Sequence, residues 1–290
     1  MPNSIALFKK YVDMLDEVYK LSSLTSALES DASLMRMGAN VNEIIIPKLD
    51  MDGLADYSRT DGYVAGSITL THETVTFNYD RGRTFSVDAM DDEESAGIAF
   101  GRLAAEFIRT KVVPELDAFR FATYAGITGI SKAAGATLSD GAAVIAALRA
   151  ATNKMDEDEV PTEKRYLYIT PTLGGIVQDL DTTKSREVLN RFKLVTQVPQ
   201  TRFYTAIDLQ DGKAAGEEIG GYKKATAGKD INFMVFEPDA LMQYTKHNVN
   251  KAISPQENQD DDKWKFFFRS YGLADVYENK VAGVYLHHKA

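Results

Sequence analysis

Hydrophobic positions in the stretch 88–124 recur every three or four residues: Phe100, Ala104, Ile108, Val112, Leu116 and Phe119. That spacing puts them on one stripe of a helix, and Leu103 and Phe107 widen it to the arc that a packed helix buries. Arg102, Glu106, Arg109 and Lys111 fall mostly off the stripe. Asp88 stands where a cap is needed. Asp91, Asp92, Glu93 and Glu94 put negative charge at the positive end of the helix dipole. Pro114 sits well inside the pattern, where a proline costs about 3 kcal/mol. The expectation is a helix to about Val113, a bend, and a second helical piece over 114–124. The helix is either an ordinary core element or a spine that spans a flat subunit.

Upstream, Leu7, Phe8, Tyr11, Leu15, Val18, Leu21 and Leu24 keep a helical period and predict a helix over 5–28. Residues 35–38 break that pattern. Residues 41–47 read as a short buried strand ended by Pro47. Asp52-Gly53 and Asp61-Gly62 are turn signals. From Gly66 apolar and polar positions alternate, with Ile68 and Leu70 on one face and Thr69 and Thr71 on the other. Alternation resumes one position out of phase at Val75, Phe77 and Tyr79, which predicts a bulge or turn near 72–74. The result is a long threonine-rich β ribbon between a buried strand and a long helix. A ribbon alone is marginal and leaves open edges, so it must lie on its own domain or on a neighbour.

Beyond the helix, 126–141 is rich in glycine and alanine and reads as a hinge or boundary. Pro114, Gly126 and Gly129 are the hinge candidates. Ser139 or Asp140 caps a helix over 142–153, followed by an acidic loop over 155–161. Residues 165–170 read as a buried strand and 171–180 as a helix opened by Pro171. Residues 186–198 fit no single pattern. The five glycines in 212–229 suggest a mobile surface loop. Residues 231–236 form a strong strand, then 240–244 a short helix, and 256–262 an acidic turn. Strands are expected over 264–268, 273–277 and 281–286, with Glu278-Asn279-Lys280 as a tight turn. The fold class is α+β.

Composition narrows the chemistry. The 290 residues suffice for a large core, 44% being hydrophobic and 26% charged. There is no cysteine, hence no thiolate or disulfide chemistry. No run of about 18 apolar residues is present, so no membrane helix is expected. The first 20 residues lack a signal-segment pattern, which points to cytoplasmic synthesis. The net charge of −9 disfavours a sequence-independent grip on nucleic acid and suits a surface lying near DNA without sticking to it. Gly129-Ile130-Ser131-Lys132-Ala133 approaches a nucleophile elbow but lacks the closing glycine and follows a helix. His72, His247, His287 and His288 have no metal-ligand spacing, and the terminal pair reads as a solvated tail. Asp260-Asp261-Asp262 reads as a charged turn, and the acids 91–94 as helix-start electrostatics. No phosphate-binding loop is present. No catalytic residue, cofactor or metal is expected, and assembly is favoured over catalysis.

The order of elements carries a resemblance. Its residues are Asp52-Gly53-Leu54, Asp56-Tyr57-Ser58-Arg59, Gly62-Tyr63-Val64 and Gly66. Then come the stretches 80–88 (Asp-Arg-Gly-Arg-Thr-Phe-Ser-Val-Asp), 91–95 and 113–120 (Val-Pro-Glu-Leu-Asp-Ala-Phe-Arg). Near the end stand Trp264, Phe268-Arg269, Tyr271-Gly272, Val276 to Lys280, and Gly283-Val284-Tyr285. Over nearly the whole chain this resembles the major capsid (coat) protein of tailed double-stranded DNA bacteriophages, the Hong Kong ninety-seven-like fold. The resemblance implies an N-terminal arm over 1–36 and an extended loop over 50–85. It implies a peripheral domain over 37–49, 86–137 and 245–281, carrying the spine helix. It places an α/β axial domain over 138–244 and 282–290.

The resemblance also implies a virion protein, made in the bacterial host cytoplasm. Such a protein would assemble through hexamers and pentamers into an icosahedral shell around DNA held without sequence-specific binding. A scaffolding protein and a portal are the implied partners, and no membrane. The subunit-interface candidates are Arg59, Tyr63, Phe77, Arg81 and Arg83 on the ribbon side, meeting Asp91, Asp92, Glu93 and Glu94 or other acids of a neighbour. On this reading, Arg81→Glu with Arg83→Glu blocks assembly while the subunit still folds. Two departures stand out. No lysine lies between Lys48 and Lys111, so a loop cross-link of the kind some members form is not expected. Only some 36 residues precede the first strand, so either a separate scaffold acts or this is already the assembling form. Three other readings are open: an encapsulin-type nanocompartment shell, a soluble α+β enzyme, and a tail or baseplate component, against which the long helix argues.

Overall fold

The structure, a computed structural model, describes residues 23–30, 42–60, 62–90, 104–180 and 183–290. The ribbon is built from two strands. Strand β1 (Glu43–Met51) pairs antiparallel with β2 (Ile68–Thr76) in one unbroken register from Glu43↔Thr76 to Met51↔Ile68. The bulge expected near 72–74 is not there. The phase changes because Ile68 and Leu70 lie on one face of the unbroken strand and Val75 on the other, and β3 (Tyr79–Asp88) leaves the ribbon for another sheet. The strand expected to stop at Pro47 runs on through it, opposite His72. In a two-stranded ribbon every second N–H points away from the partner, so a proline there need break no ladder bond.

The helical spine forms the middle of the chain. Residues 104–107 are α-helical, Ile108–Val112 form a π turn, and α1 (Val113–Gly126) follows without a gap. The break expected at Pro114 does not occur. The Val113 N–H bonds the Ile108 carbonyl, and Phe107, Val112 and Val113 all keep helical φ/ψ. Pro114 has no N–H to give and its ring crowds the carbonyl four residues back. One turn widened to π geometry lets the helix pass it. The spine's start, with Asp91 to Glu94, lies outside the described residues, as do 1–22 of the N-terminal arm and the pattern break at 35–38. Residues 23–30, the end of the helix expected over 5–28, are a turn with a 3₁₀ piece at Ser26–Leu28.

Past the spine, β4 (Ser131–Lys132), α2 (Gly141–Glu157), β5 (Tyr166–Ile169), α3 (Pro171–Asp179), α4 (Thr183–Leu189) and β6 (Leu194–Gln197) follow. Then come the hairpin β7 (Ile207–Gln210) and β8 (Gly221–Lys224), β9 (Ile231–Phe236), β10 (Leu241–Ile253), β11 (Lys263–Val276) and β12 (Val284–His288). A five-stranded mixed sheet has the order β4-β12-β9-β5-β6, and a three-stranded one the order β10-β11-β3. Asp140 caps α2 by accepting from the Ala143 N–H at 2.8 Å. All six residues of β9 are buried, as a central strand covered on both faces requires. On one face Phe121 and Tyr124 of the spine meet Tyr168, Phe203 and Phe236. On the other Val144, Leu148 and Met155 of α2 meet Leu167 and Phe233. The three-stranded sheet packs Tyr79, Phe266 and Phe268 on Ile108, Val113 and Leu116 of the spine.

Several sequence expectations are corrected. The helix expected over 240–244 is the start of β10, because Leu241 pairs with Val276 and its first four residues are buried in the sheet. The strands expected over 264–268 and 273–277 are one strand. Gly272 lets β10 pass close by, since a Cβ there would sit 2.8 Å from the Tyr244 carbonyl oxygen. The acidic loop over 155–161 is shortened, as α2 runs to Glu157. The surface loop of 212–229 contains β8. His287 is no tail residue: it is buried in β12 and its Nδ1 lies 3.0 Å from the Asn232 amide nitrogen.

Candidate assembly surface

The ribbon is anchored at its root and bare at its end. Residues directly opposite in an antiparallel pair share a face. On one face, Ile44 and Val75 are buried against Met242, Tyr244 and Leu273. On the opposite face, toward the tip, Leu49 faces Leu70 and Met51 faces Ile68. Among the described residues twelve large apolar side chains are exposed, and eight of them lie between 49 and 70. That concentration is a patch, not the scatter any surface carries. Leu54 and Tyr63 stand almost wholly in solvent. At the tip, Asp52 and Ser67 close the loop through Asp52 N–H to the Ser67 carbonyl, and Ser58 and Gly62 form a bridge. Gly62 takes φ +81°, which favours glycine. Tyr57 and Tyr63 pack ring to ring at 4.8 Å.

The ribbon root is also an electrostatic joint. Lys48 of β1 pairs with Glu278. The Glu73 carboxyl on β2 is pushed above its ordinary range by burial, then by Glu278, and Lys48 only partly opposes this. Phe77, a candidate contact residue, is half-buried and stacks on Tyr271 at 4.9 Å within its own chain. Arg59 is exposed in the tip turn.

Arg81 and Arg83, offered by the sequence as contacts to a neighbour's acids, are each bonded within their own subunit. Arg81 Nε donates to Glu115 Oε1 at 2.7 Å, and Glu115 is itself buried in the spine. Arg81 Nη2 donates to the carbonyls of Gln210 at 2.8 Å and Gly221 at 3.3 Å. Arg83 Nη2 donates to the Glu218 carbonyl at 3.0 Å. Both arginines therefore run from β3 to the β7–β8 hairpin, across a cleft of about 730 Å³ beside the spine.

Two residues on from Glu115, Asp117 holds the segment 23–25. It is fully buried and accepts from Ser23 Oγ at 2.9 Å, from Thr25 Oγ1 at 2.8 Å, and from the Leu24 and Thr25 N–H groups. Arg202 pairs with it at 3.3 Å, Arg120 donates to Thr25 Oγ1 at 2.7 Å, and Gln243 donates to the Thr25 carbonyl. A carboxylate this deep is tolerable only when so fully bonded. Sequence reasoning does not single out Glu115 or Asp117. The usable signal is two acids flanking Leu116 inside an apolar stretch. Of the hinge candidates, Pro114 lies in the first turn of α1, Gly126 ends it in open space, and Gly129 takes φ +92°. Among the described residues no group of histidines and acids is placed to hold a metal ion. No helix among them is long and apolar enough to cross a membrane.

The sequence matches no family model and no curated protein. The structure is similar to that of the bacteriophage PhiM1 mature capsid, at 12% identity and a TM-score of 0.57 over 86% of this chain and 82% of that one. It is similar to the capsid of the cyanophage P-SCSP1u, at 13% identity and a TM-score of 0.55 over 91% and 86%. It also matches a virus-like particle from Pyrococcus furiosus, at 10% identity and a TM-score of 0.60 over 97% and 99%. The chain has the α+β fold of phage major capsid proteins, the Hong Kong ninety-seven-like fold.

Proposed function

We propose that this protein is the structural subunit of a closed shell, and not an enzyme. The observation that carries the reading is the ribbon: anchored at its root, apolar and exposed at its end, on a chain with a capsid fold. A single subunit gains nothing from Leu49, Leu54, Ile68 and Leu70 in water. A second copy that covers them gains about 25 cal/mol per Å² of apolar area, repeated at every interface. One copy's ribbon lying on a different surface of the next is a head-to-tail contact, and such contacts close into rings. Hexamers and pentamers of this kind build an icosahedral shell around double-stranded DNA. The tip residues Arg59 and Tyr63 belong to the contact, and the acids 91–94 are its candidate partners on the neighbour. The arm, extended loop, spine-bearing peripheral domain and axial domain are the working parts. A scaffolding protein and a portal complete the head, assembled in the bacterial host.

The test is particle size by negative-stain microscopy and sedimentation, with scaffold supplied. Rings or shells tens of nanometres across are expected, with nuclease-protected DNA inside those recovered from the host. A subunit that stays monomeric or dimeric under all these conditions overturns the proposal. The similarity to the Pyrococcus particle over nearly both whole chains favours one second reading, a nanocompartment shell. Shells that hold protein and no DNA would select it.

A further inference from the structure

Among the described residues the β7–β8 hairpin pairs with no other sheet. Its tip, 211–220, folds back on itself: Asp211 Oδ1 accepts the Lys213 and Ala214 N–H groups, and the Gly220 N–H bonds the Glu217 carbonyl. Gly212, Gly216, Gly220 and Gly221 all take positive φ, so the tip turns at points only glycine adopts easily. Gly212 and Gly220 flank one guanidinium. A Cβ at either would come within 2.9 Å of Arg83 Nη1. The tip overhangs the cleft of about 730 Å³. One wall carries Phe85, Phe107 and Val112, and the other Tyr204, Ile219 and Tyr222. Ile219 is 88% exposed, so the tip is not held down by burial of its own apolar residue. The groups that reach across to it from β3 are Arg81, to the carbonyls of Gln210 and Gly221, and Arg83, to that of Glu218.

We propose that Arg81 and Arg83 form a two-point latch that holds the 211–221 loop as a lid over the cleft beside the spine. The two anchors differ in kind. Arg81 is half-buried and bound to Glu115 of the spine, so it is the fixed end. Arg83 is exposed and makes a single bond to the lid, so it is the releasable end. Guanidinium bonds to carbonyls are directional and charge-assisted, strong enough to set a loop's position and weak enough in water to open. The glycines supply the pivots. The latch is a property of one subunit and holds whether or not copies assemble.

The chain has no cysteine, so Val112→Cys puts a single thiol on the cleft wall. Its alkylation by a maleimide is followed in the full-length subunit, together with amide hydrogen exchange. Adding Arg83→Ala is expected to speed alkylation about tenfold, the effect of losing one charge-assisted hydrogen bond. The amides of 213–220 should exchange faster by a similar factor, with β9 amides unchanged. Equal rates with and without Arg83→Ala overturn the latch. Should Arg83→Ala speed exchange in β9 as well, Arg83→Met decides, since it keeps the stem and loses the donors. Faster exchange confined to 213–220 in that variant supports the latch, and any other pattern overturns it.

Discussion

Arg81 shows how one side chain can be read two ways. In the sequence it is a cation on an exposed ribbon. In the fold its strand has left the ribbon, and the guanidinium bridges Glu115 and two hairpin carbonyls with the ion pair largely removed from water. Breaking such a pair from one side leaves an uncompensated charge, at about 3 kcal/mol or more. Arg81→Glu would set a second carboxylate against Glu115. It is expected to lower the urea midpoint by the equivalent of about 3 kcal/mol, so lost assembly in this variant reports on folding first. An unchanged midpoint would show that the pair contributes nothing. His287 allows a test by pH. Burial, then His288, holds its imidazole below the ordinary value of about 6.5, and the Asn232 amide lies against Nδ1. The unfolded chain then takes up a proton that the folded one refuses, so stability falls as pH drops through about 6.5 and is restored above it. Melting temperatures at about pH 7.5 and about pH 5.5, on either side of that value, should differ less in His287→Gln than in the parent. Glu237 and Asp275, whose carboxyls burial pushes up, act in the opposite direction at lower pH and are common to both proteins. Equal losses in the two proteins would remove His287 from the account.

The ribbon carries the prediction at the scale of the element. Ile68 and Leu70 are exposed and opposite Met51 and Leu49, so lysine at both positions removes no core contact. Surface changes of this kind usually shift stability by no more than about 0.5 kcal/mol. Ile68→Lys with Leu70→Lys should therefore melt like the parent and fail to form particles in sedimentation. Particles of normal size would place the adhesive surface elsewhere. The same element marks the limit of what sequence reveals. Alternation at 66–71 announces a strand, and the helical period announces the spine, because local side-chain periodicity reports directly which face is buried. Which strand pairs with which is decided by distant partners. Hence 41–47 reads as a buried strand apart from the ribbon, when it is the ribbon's other half. Tyr79 reads as part of the ribbon, though it belongs with Phe266 and Phe268. Gly272 and Pro114 mislead for a related reason. Each breaks a regular element in isolation, yet here one admits a close β10 and the other sits behind a π turn. Asp117 is invisible in the sequence because its donors come from residues 23–25 and 202, far away along the chain.

At the scale of the whole molecule the balance of charge decides how the protein meets nucleic acid. Duplex DNA binds proteins chiefly by releasing counterions from phosphates that lysine and arginine neutralise. This chain has 33 lysines and arginines against 42 acids. On β10 and β11, where cations gather, Arg269 is pinned to Asp80 by two bonds of 2.9 and 2.7 Å, and Lys265 is paired with Asp260 and Asp261. A cation already paired releases few counterions, so Arg269 and Lys265 supply little grip. The free subunit is therefore expected to leave duplex DNA unshifted in a gel at about 150 mM salt, even at micromolar protein. On the proposed function, DNA recovered inside particles should be freed in full when they are dissociated, with the same yield at low and moderate salt. A micromolar or tighter complex with a steep salt dependence would instead reveal a basic face, and would make DNA a bound partner of the subunit. Confinement without adhesion is what a closed container requires of its wall. Contents held by enclosure alone can leave through an opening without breaking contacts with each subunit in turn.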